Sequence, residues 1–418
     1  MNNWKKFIII DIILLIGLIS FYQWGWHNNS THPPLRYQPT GLNNHFNFPS
    51  SQPFSEYIKQ SNGMIKQGRT LAQVNNTSLV VAQNSPEELL PDPAICKRPE
   101  QGKYENGVLL IHGLLASPYL MHELAKHFQE KCFLVYSILL PGHGTAPGDL
   151  TQVSAQDWIN ATQFGLNSLT SHAKNIYIAG YSTGATLAIL DALHYPTQAK
   201  ALILFAPALK IAGKFSWAIT PVYWLSRIIP SIEWISKADD TDPVKYNSFP
   251  INAPYQVNVV ISQLQNLSPR QNLKLPLFII QSAEDTTVDS QAVFDFFASL
   301  HNPQSRMLWF TQKQMQASDS RIQIIMSAVP KQKILGQSHV SLALNENDMY
   351  FGSQGTIKEC SQYDKDTPAW HDCKTSNAVY LGETTEENLR QHTLRRIAFN
   401  PFLSDVLQQI DIFLANMT

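Results

Sequence analysis

The chain has 418 residues and a formal net charge of −1, with 31 Lys and Arg against 32 Asp and Glu, and 15% of its residues are charged. A charged fraction below the usual ~25% excludes a disordered polyelectrolyte, and no clustered Lys/Arg excess is present to bind nucleic-acid phosphates. Because soluble domains run at roughly 100 to 200 residues, the length fits two or three modules or one large domain with insertions.

The N-terminus carries a hydrophobic segment. Lys5 and Lys6 precede an apolar run over residues 7–22, and tryptophans flank the run on both sides. Extended to Trp26, a helix here approaches the ~30 Å of a hydrocarbon core. We therefore expect residues 1–26 to be a membrane anchor that holds the body outside the cytoplasm, on the periplasmic side of the inner membrane if the source is bacterial. The alternative is a cleaved signal peptide and a secreted protein, although no A-x-A-like site follows the run.

If the body is exported, its four cysteines are expected to form disulfides. In an oxidising compartment an even count favours two disulfides, and four cysteines allow three pairings. We expect Cys96 to pair with Cys132, which ties an N-terminal arm to the body, and Cys360 to pair with Cys373, which closes a short polar loop. Four buried thiols would be expected if the body were cytosolic.

Two regions follow the anchor. Residues 27–101 are rich in Asn, Gln, Ser, Thr and Pro and predict a stalk and N-terminal arm, with one helix around residues 54–74 packing on the body. Residues 102–418 alternate short apolar runs with helical periodicity, which predicts an α/β domain whose mostly parallel sheet has helices on both faces. The predicted strands are 107–111, 133–140, 175–179, 201–205, 277–281 and 306–310.

Two segments interrupt this alternation. Residues 208–273 carry several aromatic side chains and are far longer than the usual loops of 2 to 6 residues, so we expect a helical cap over a site. Residues 343–390 form a polar excursion with one predicted disulfide, and we expect a surface decoration. The body is therefore predicted to be one domain with two insertions.

The chain contains one G-x-S-x-G motif, at residues 180–184. The motif lies between a predicted strand and a predicted helix, a context that predicts a strained turn presenting the Ser182 hydroxyl as a nucleophile. An ordinary βα turn is the alternative. The following helix directs its N-terminus at the site, which favours negative charge there.

A serine hydroxyl needs a base that a carboxylate orients, and in this type of fold the three follow in the order Ser, Asp or Glu, His. Asp285 lies in the loop after strand 277–281 and is the expected acid, with Glu284 in reserve. His339 lies in a loop after an apolar run and is the expected base. The later histidines lie in less suitable positions.

Acyl transfer also needs N–H donors for the oxyanion. We expect one to be the backbone amide of Thr183, which follows the nucleophile, and the other to be the amide of Leu114 in the loop after strand 107–111. His112 precedes the serine in the chain and is interpreted as a structural hydrogen-bonding residue.

Several motifs together carry a family resemblance: HGLLASP (112–118), LPGHGTAP (140–147), Asp157-Trp158, GYSTGA (180–185), the Asp285 loop and His339. They resemble the bacterial carboxylesterase and monoacylglycerol-lipase-like group of α/β-hydrolases, over about residues 107–340 and the final helix. The resemblance implies an α/β-hydrolase fold and hydrolysis of a small ester or lipid through an acyl-enzyme. The anchor, the insertion at 343–390, and Thr183 in place of the frequent Met or Leu depart from the family pattern.

Other classes of protein receive less support. No G-x-G-x-x-G or Walker pattern follows a strand, and the histidines of His122-Glu123-Leu124-Ala125-Lys126-His127 are five apart rather than on one helix face, so we expect neither cofactor nor metal. An acyltransferase or thioesterase with the same triad is the nearest alternative. A non-catalytic binding or adhesion module on a hydrolase scaffold is the alternative of another class.

Overall fold

The computed structural model describes residues 34–97, 99–196, 198–267 and 273–417. The predicted anchor, residues 1–26, lies outside these ranges. Within them, no helix is long and apolar enough to cross a membrane.

A central sheet of eight strands organises the described chain. The strands in chain order are β1 Glu87–Leu89, β2 Tyr104–Ile111, β3 Phe133–Ile138, β4 Ala173–Tyr181, β5 Ala201–Phe205, β6 Trp234–Ser236, β7 Phe249–Pro250, β8 Leu277–Ser282, β9 Arg306–Thr311, β10 Ile322–Met326, β11 Tyr380–Gly382 and β12 Leu394–Arg396. The central sheet has the order β1-β3-β2-β4-β5-β8-β9-β10, and its neighbours run parallel except for β1, which is antiparallel to β3. Strands β6 with β7 and β11 with β12 form two small sheets.

Helices cover both faces of this sheet. In chain order the described α-helices are α1 Phe54–Leu71, α2 Ser78–Asn84, α3 His122–Glu130, α4 Ala155–His172, α5 Thr183–His194, α6 Ile219–Ser226, α7 Asn252–Asn266, α8 Ser290–Ala298, α9 Pro368–Thr375, α10 Glu386–Gln391 and α11 Leu403–Ala415. Helices α4, α5, α7 and α8 contribute to the apolar cluster on one face, and α3 and α11 to the cluster on the other.

Strand β2 shows why the strands read as continuous apolar runs. Its successive side chains point to opposite faces, so Leu109 and Ile111 join one cluster while Val108 and Leu110 join the other. All four are fully buried. A parallel sheet covered on both faces therefore needs apolar residues at every position of its central strands.

All six predicted strands are present, with ends within three residues of those expected. Strands β1 and β10 were not predicted, and both lie at edges of the sheet. The sequence of β1 is Glu-Glu-Leu, and β10 buries only one of its five residues, Ile322. An edge strand has one open side and needs fewer apolar residues, so its pattern is weak.

The described part of the predicted stalk is instead packed on the body. Phe54 and Tyr57 of α1 belong to the main apolar cluster, and the Phe54 ring stacks on Tyr136 of β3 at 3.9 Å between centroids. Two helices, α1 and α2, replace the single helix expected, and β1 extends the sheet. The stretch is polar in overall composition, but its few apolar residues lie on one face of the helix, and that face is buried against the body.

The two insertions also differ from the expectations. In the cap segment, α7 packs into the main cluster through Val257, Val260 and Leu264, whereas α6 buries only Ser226. The 343–390 insertion is not only a surface decoration. Its Leu344 and Phe351 are buried in an apolar cluster with Val244 of the cap segment, so it joins the cap to the body.

Candidate active site

Ser182 occupies a strained turn between β4 and α5. Its φ is +53° and its ψ is −113°, which a residue with a side chain rarely adopts. A Cβ at Gly180 would lie 2.5 Å from the Ala185 nitrogen, and one at Gly184 would lie 2.1 Å from the Ile111 carbonyl oxygen. Both flanking positions therefore require glycine, which explains why the motif has this sequence.

Three side chains predicted from the sequence meet at this turn. The Ser182 hydroxyl lies 3.1 Å from His339 Nε2, and His339 Nδ1 lies 2.7 Å from Asp285 Oδ2. Because an ionised carboxylate only accepts hydrogen bonds, we assign the proton to Nδ1. Nε2 is then free to accept the serine proton, which is the geometry that nucleophilic catalysis requires.

The Asp285 carboxylate is fixed on both oxygens. Its Oδ1 accepts the amide protons of Thr287 and Val288, at 2.8 and 2.9 Å, and its Oδ2 accepts from Gln281 Nε2 at 3.1 Å as well as from His339. The side chain is fully buried. Amide donors substitute for water around this charge and set the direction of the oxygen that faces the imidazole.

Glu284, the reserve acid, points elsewhere. Its Oε1 accepts the Gln312 amide proton at 2.8 Å and the proton of the Thr311 hydroxyl at 3.3 Å, where β9 ends. Burial raises the pKa of this carboxyl, against the effect of those hydrogen bonds. The structure therefore brings Asp285 and not Glu284 to His339.

The loop after β2 passes beside the nucleophile. A Cβ at Gly113 would lie 3.2 Å from the Ser182 Cβ, so Leu114 directly follows the residue that touches the serine. Thr183 directly follows the serine on its other side and begins α5. Within the described ranges, neither the Leu114 nor the Thr183 amide donates a hydrogen bond to a protein acceptor. Leu114 and Thr183 thus lie in the two segments beside Ser182, and the role of their amides as oxyanion donors stays a prediction.

Two buried histidines hold this loop. His143 Nε2 accepts the Leu115 amide proton and His112 Nε2 accepts the Leu140 amide proton, each at 3.0 Å. Burial lowers the pKa of both imidazoles, that of His143 to about 4, so both stay neutral and accept at neutral pH. The structure places His112 in the structural role that the sequence suggested, and it adds His143, which was not singled out.

Sequence reasoning also missed a carboxylate behind the triad. The amide proton of His339 is donated to Glu383 Oε2 at 3.0 Å, and Arg396 pairs with both oxygens of Glu383 at 2.8 and 2.9 Å. Glu383 lies 44 residues after His339 and follows no motif, so no local signal identified it.

A metal or cofactor site is not built from the histidines of the His122–His127 stretch. The His122 ring stacks on Tyr119 at 4.4 Å, and His127 Nε2 lies 2.8 Å from Asp411 Oδ1. The two imidazoles therefore serve different neighbours. Among the described residues, no group of three or more His, Cys, Asp or Glu side chains is placed to hold a metal ion.

The cap segment exposes several large apolar side chains. Phe215, Trp217, Trp224 and Ile228 are each at least 60% exposed. Elsewhere the cap is tied to the site, because Tyr246 donates its amide proton to the Leu115 carbonyl at 2.8 Å. An apolar surface therefore belongs to the same segment that contacts the loop after β2.

Both predicted disulfides are present. Cys96 pairs with Cys132 and Cys360 with Cys373, with Cα separations of 5.4 and 5.9 Å. The first joins the N-terminal arm to the turn before β3, and the second lies inside the 343–390 insertion. These are the two pairs expected from the sequence, among the three pairings that four cysteines allow.

Comparisons with known proteins give a consistent result. Residues 102–313, half of the chain, match the family described as serine aminopeptidase, S33. The thermostable monoacylglycerol lipase of Bacillus sp. (strain H-257) is 28% identical over 182 residues, which cover 44% of this chain and 71% of that one. Among solved structures, the metagenome-derived lipolytic enzymes LipS and LipT are represented by a match at 21% identity and a TM-score of 0.45, covering 54% of this chain and 86% of that one. The monoacylglycerol lipase of Paleococcus ferrophilus matches at 19% identity and a TM-score of 0.43, with 54% and 88% covered.

Proposed function

The chain belongs to the serine aminopeptidase S33 family of α/β-hydrolases, and we propose that it hydrolyses carboxylic esters through an acyl-enzyme on Ser182. The observation that carries the proposal is the continuous hydrogen-bonded chain from the Ser182 hydroxyl through His339 to Asp285. Such a chain raises the nucleophilicity of a serine and stabilises the imidazolium that forms.

Each group has a role in the proposed reaction. His339 Nε2 takes the proton as Ser182 Oγ attacks the ester carbonyl, and the amides of Leu114 and Thr183 bind the oxyanion of the tetrahedral intermediate. The imidazolium then protonates the leaving alcohol. In the second half, His339 takes a proton from water, the hydroxide oxygen attacks the acyl carbon, and Ser182 recovers its proton as the carboxylic acid leaves.

A fluorophosphonate probe tests the nucleophile. We expect it to label the wild-type protein once and to leave Ser182→Ala unlabelled, with ester turnover lost in the same variant. Ser171→Ala, which changes an exposed serine at the end of α4, is the matched control and should label like the wild type. Equal labelling of Ser182→Ala would refute the mechanism.

We propose a single-chain ester, such as a monoacylglycerol or lysophospholipid, as the substrate class. Support comes from the exposed apolar side chains of the cap segment and from the name of the Bacillus relative. A chain-length series of p-nitrophenyl esters should show kcat/KM rising with acyl length before it falls. Aminoacyl p-nitroanilides and glycerol as an acyl acceptor are the comparison arms, and preferred turnover of either would favour aminopeptidase or acyltransferase activity. Absence of any turnover by the folded protein would favour a binding module.

Membrane attachment through residues 1–26 is the remaining part of the proposal. Support comes from the apolar run after Lys5 and Lys6, and from two disulfides, which persist in oxidising compartments. Near the start of the described chain, the Tyr37 hydroxyl donates a hydrogen bond to the Ala238 carbonyl of the cap segment at 2.7 Å. Residues 27–33 would span at most about 25 Å, so an anchored protein would keep its cap near the bilayer.

Cell fractionation tests the attachment. We expect the full chain in the membrane fraction, resistant to alkaline carbonate, and a chain whose residues 1–26 are replaced by a cleavable signal peptide in the soluble fraction of the same compartment. A soluble, N-terminally shortened product of the full chain would favour the signal peptide instead. Protease accessibility in spheroplasts would then report on which side of the membrane the body lies.

A further inference from the structure

We propose that Glu383, supplied by the 343–390 insertion and held by Arg396, is a positioning residue that fixes the His339 loop for proton transfer with Ser182. The inference rests on the proposed function, because it concerns how that triad is aligned. It gives the insertion, which lies outside the 102–313 family match, a role in aligning the triad.

The first observation is the contact with His339 itself. Glu383 Oε2 accepts the backbone amide proton of His339 at 3.0 Å, and the Glu383 side chain is fully buried. A carboxylate bound to the backbone of the base restricts the peptide plane from which the imidazole projects. The orientation of that plane sets the distance from the serine hydroxyl to the imidazole. A displacement of about 1 Å between reacting groups can lower the rate 100-fold.

The second observation is that the same ion pair reaches the loop of the acid. Arg396 donates to both oxygens of Glu383 and also to the Thr287 hydroxyl at 2.8 Å. Thr287 in turn donates its amide proton to Asp285 at 2.8 Å. One guanidinium thereby connects the loop of the acid with the carboxylate that holds the loop of the base.

The third observation is how the insertion brings Glu383 to this place. Leu381, at the centre of β11, accepts the amide proton of Leu335 at 2.8 Å and donates its own to Lys333 at 2.9 Å. These residues directly precede the His339 loop. The chain after β11 therefore emerges beside that loop, and Asn388 Nδ2 donates to the Glu383 carbonyl at 2.9 Å and fixes the turn that follows.

The charges are consistent with a fixed ion pair. Burial opposes ionisation of Glu383, but the Arg396 charge and hydrogen bonds from Arg396, His339 and Thr384 outweigh it, and the pKa of Glu383 falls to about 2. The carboxylate is therefore ionised across the pH range in which a serine hydrolase works. Arg396 neutralises it, so Glu383 supplies a strong acceptor without adding net negative charge beside Asp285.

The test variant replaces both members of the pair, Glu383→Leu with Arg396→Met. Because apolar side chains of similar size leave no unpaired buried charge, the fold should survive. We expect kcat and the rate of fluorophosphonate labelling to fall about 10- to 100-fold while KM changes less than about 3-fold. Glu383→Gln, which keeps an oxygen acceptor for the His339 amide, should recover part of that loss.

A matched control lies in the same region. Lys245 and Glu359 form a second, partly buried ion pair, with Glu359 in the same insertion, and their side chains hydrogen-bond to each other. The double variant Lys245→Met with Glu359→Leu should keep kcat within about 2-fold of the wild type. Melting temperatures of both double variants report any loss of folding.

The outcomes separate the two proposals. An inactive Ser182→Ala variant together with a fully active Glu383→Leu/Arg396→Met protein would refute the positioning role alone. Equal losses of kcat in the two double variants, tracking their melting temperatures, would also refute it, because the pair would then be only structural. Full activity in Ser182→Ala would refute the proposed mechanism and the inference with it.

Discussion

Asp285 and Glu284 are adjacent residues with the same chemical group, yet they serve different hydrogen-bond networks. Both lie in the turn after β8, where the Asp285 carboxylate meets His339 and the Glu284 carboxylate meets the Gln312 amide after β9. The Asp285 carboxylate also turns on itself to accept two amide protons from its own loop. A single position in the chain thus separates the acid beside the base from a structural acid.

We predict that Asp285→Asn lowers kcat/KM for a short-chain p-nitrophenyl ester by about 10³- to 10⁴-fold, because the amide favours the wrong imidazole tautomer. Glu284→Gln is the matched control and should stay within about 3-fold of the wild type, since Glu284 does not contact His339. Steady-state kinetics on both variants decides the assignment. Comparable losses in the two would contradict it.

Asp191 lies on α5, and burial raises its pKa to about 7. Its Oδ1 has no hydrogen-bond partner within the described chain. The folded protein therefore retains a proton that the unfolded chain has already lost at a pH of about 4, so the free energy of unfolding falls as pH rises from about 4 to 7.

We predict that Asp191→Asn removes this pH dependence. At pH 8 the variant should be more stable than the wild type by about 2 kcal/mol, because no buried charge remains, while at pH 5 the two should be similar. Urea unfolding at both pH values measures the difference. An equal effect at pH 5 and pH 8 would contradict the assignment of the raised pKa.

The contact between α5 and β2 is the element-scale feature on which the site depends. Gly184, in the first turn of α5, approaches the Ile111 carbonyl so closely that a Cβ would lie 2.1 Å from it. This approach places the N-terminus of the helix at the carboxyl ends of the sheet strands, where the helix dipole favours a negatively charged oxyanion. The same helix carries Leu187 and Leu190 into the main cluster, so its placement is held by packing along its length.

We predict that Gly184→Ala destabilises the protein by about 3 kcal/mol and removes most activity, because the helix must move away from β2. Gly63→Ala is the matched control within a helix. Gly63 is exposed on α1, and a Cβ there meets nothing within 4 Å. That variant should gain about 0.5–1 kcal/mol from its higher helix propensity. Thermal unfolding and ester turnover of both variants test the prediction.

At the scale of the whole molecule, segments beyond the central sheet tie the chain together. Helix α1 packs on the sheet, the cap contacts the loop after β2, and the 343–390 insertion reaches the loops of the acid and base. Cys96–Cys132 joins the N-terminal arm to the turn before β3, and Cys360–Cys373 lies within the insertion, with sequence separations of 36 and 13 residues.

We predict that the longer loop contributes more to stability. On the chain-entropy model, loss of Cys96–Cys132 costs about 4 kcal/mol and loss of Cys360–Cys373 about 3 kcal/mol. Denaturant unfolding of the two Cys→Ser double variants measures both values. Thiol titration of the native protein should find no reactive thiol. A smaller loss of stability on removal of Cys96–Cys132 than of Cys360–Cys373 would contradict the entropic explanation.

Much of the central sheet and the triad could be predicted because their signals are local. A strand buried on both faces needs an apolar residue at each position, and the turn at Ser182 needs glycine on both sides, so both leave short, recognisable patterns. The order of Ser182, Asp285 and His339 then limits the partners of the serine to a few loops. Edge strand β1, with the sequence Glu-Glu-Leu, has no such pattern. It becomes a strand only because its backbone pairs with the free hydrogen-bonding edge of β3.

The sequence by itself therefore determined the α/β class, the nucleophile turn and a short set of candidate acids and bases. Only the tertiary structure decided between Glu284 and Asp285, packed the predicted stalk against the sheet, and placed Glu383 against His339. These outcomes depend on contacts between residues far apart in the chain, and a side chain carries no local mark of a distant partner. Glu383 is the clearest case, since a buried ion pair with Arg396 and an amide 44 residues earlier define its environment.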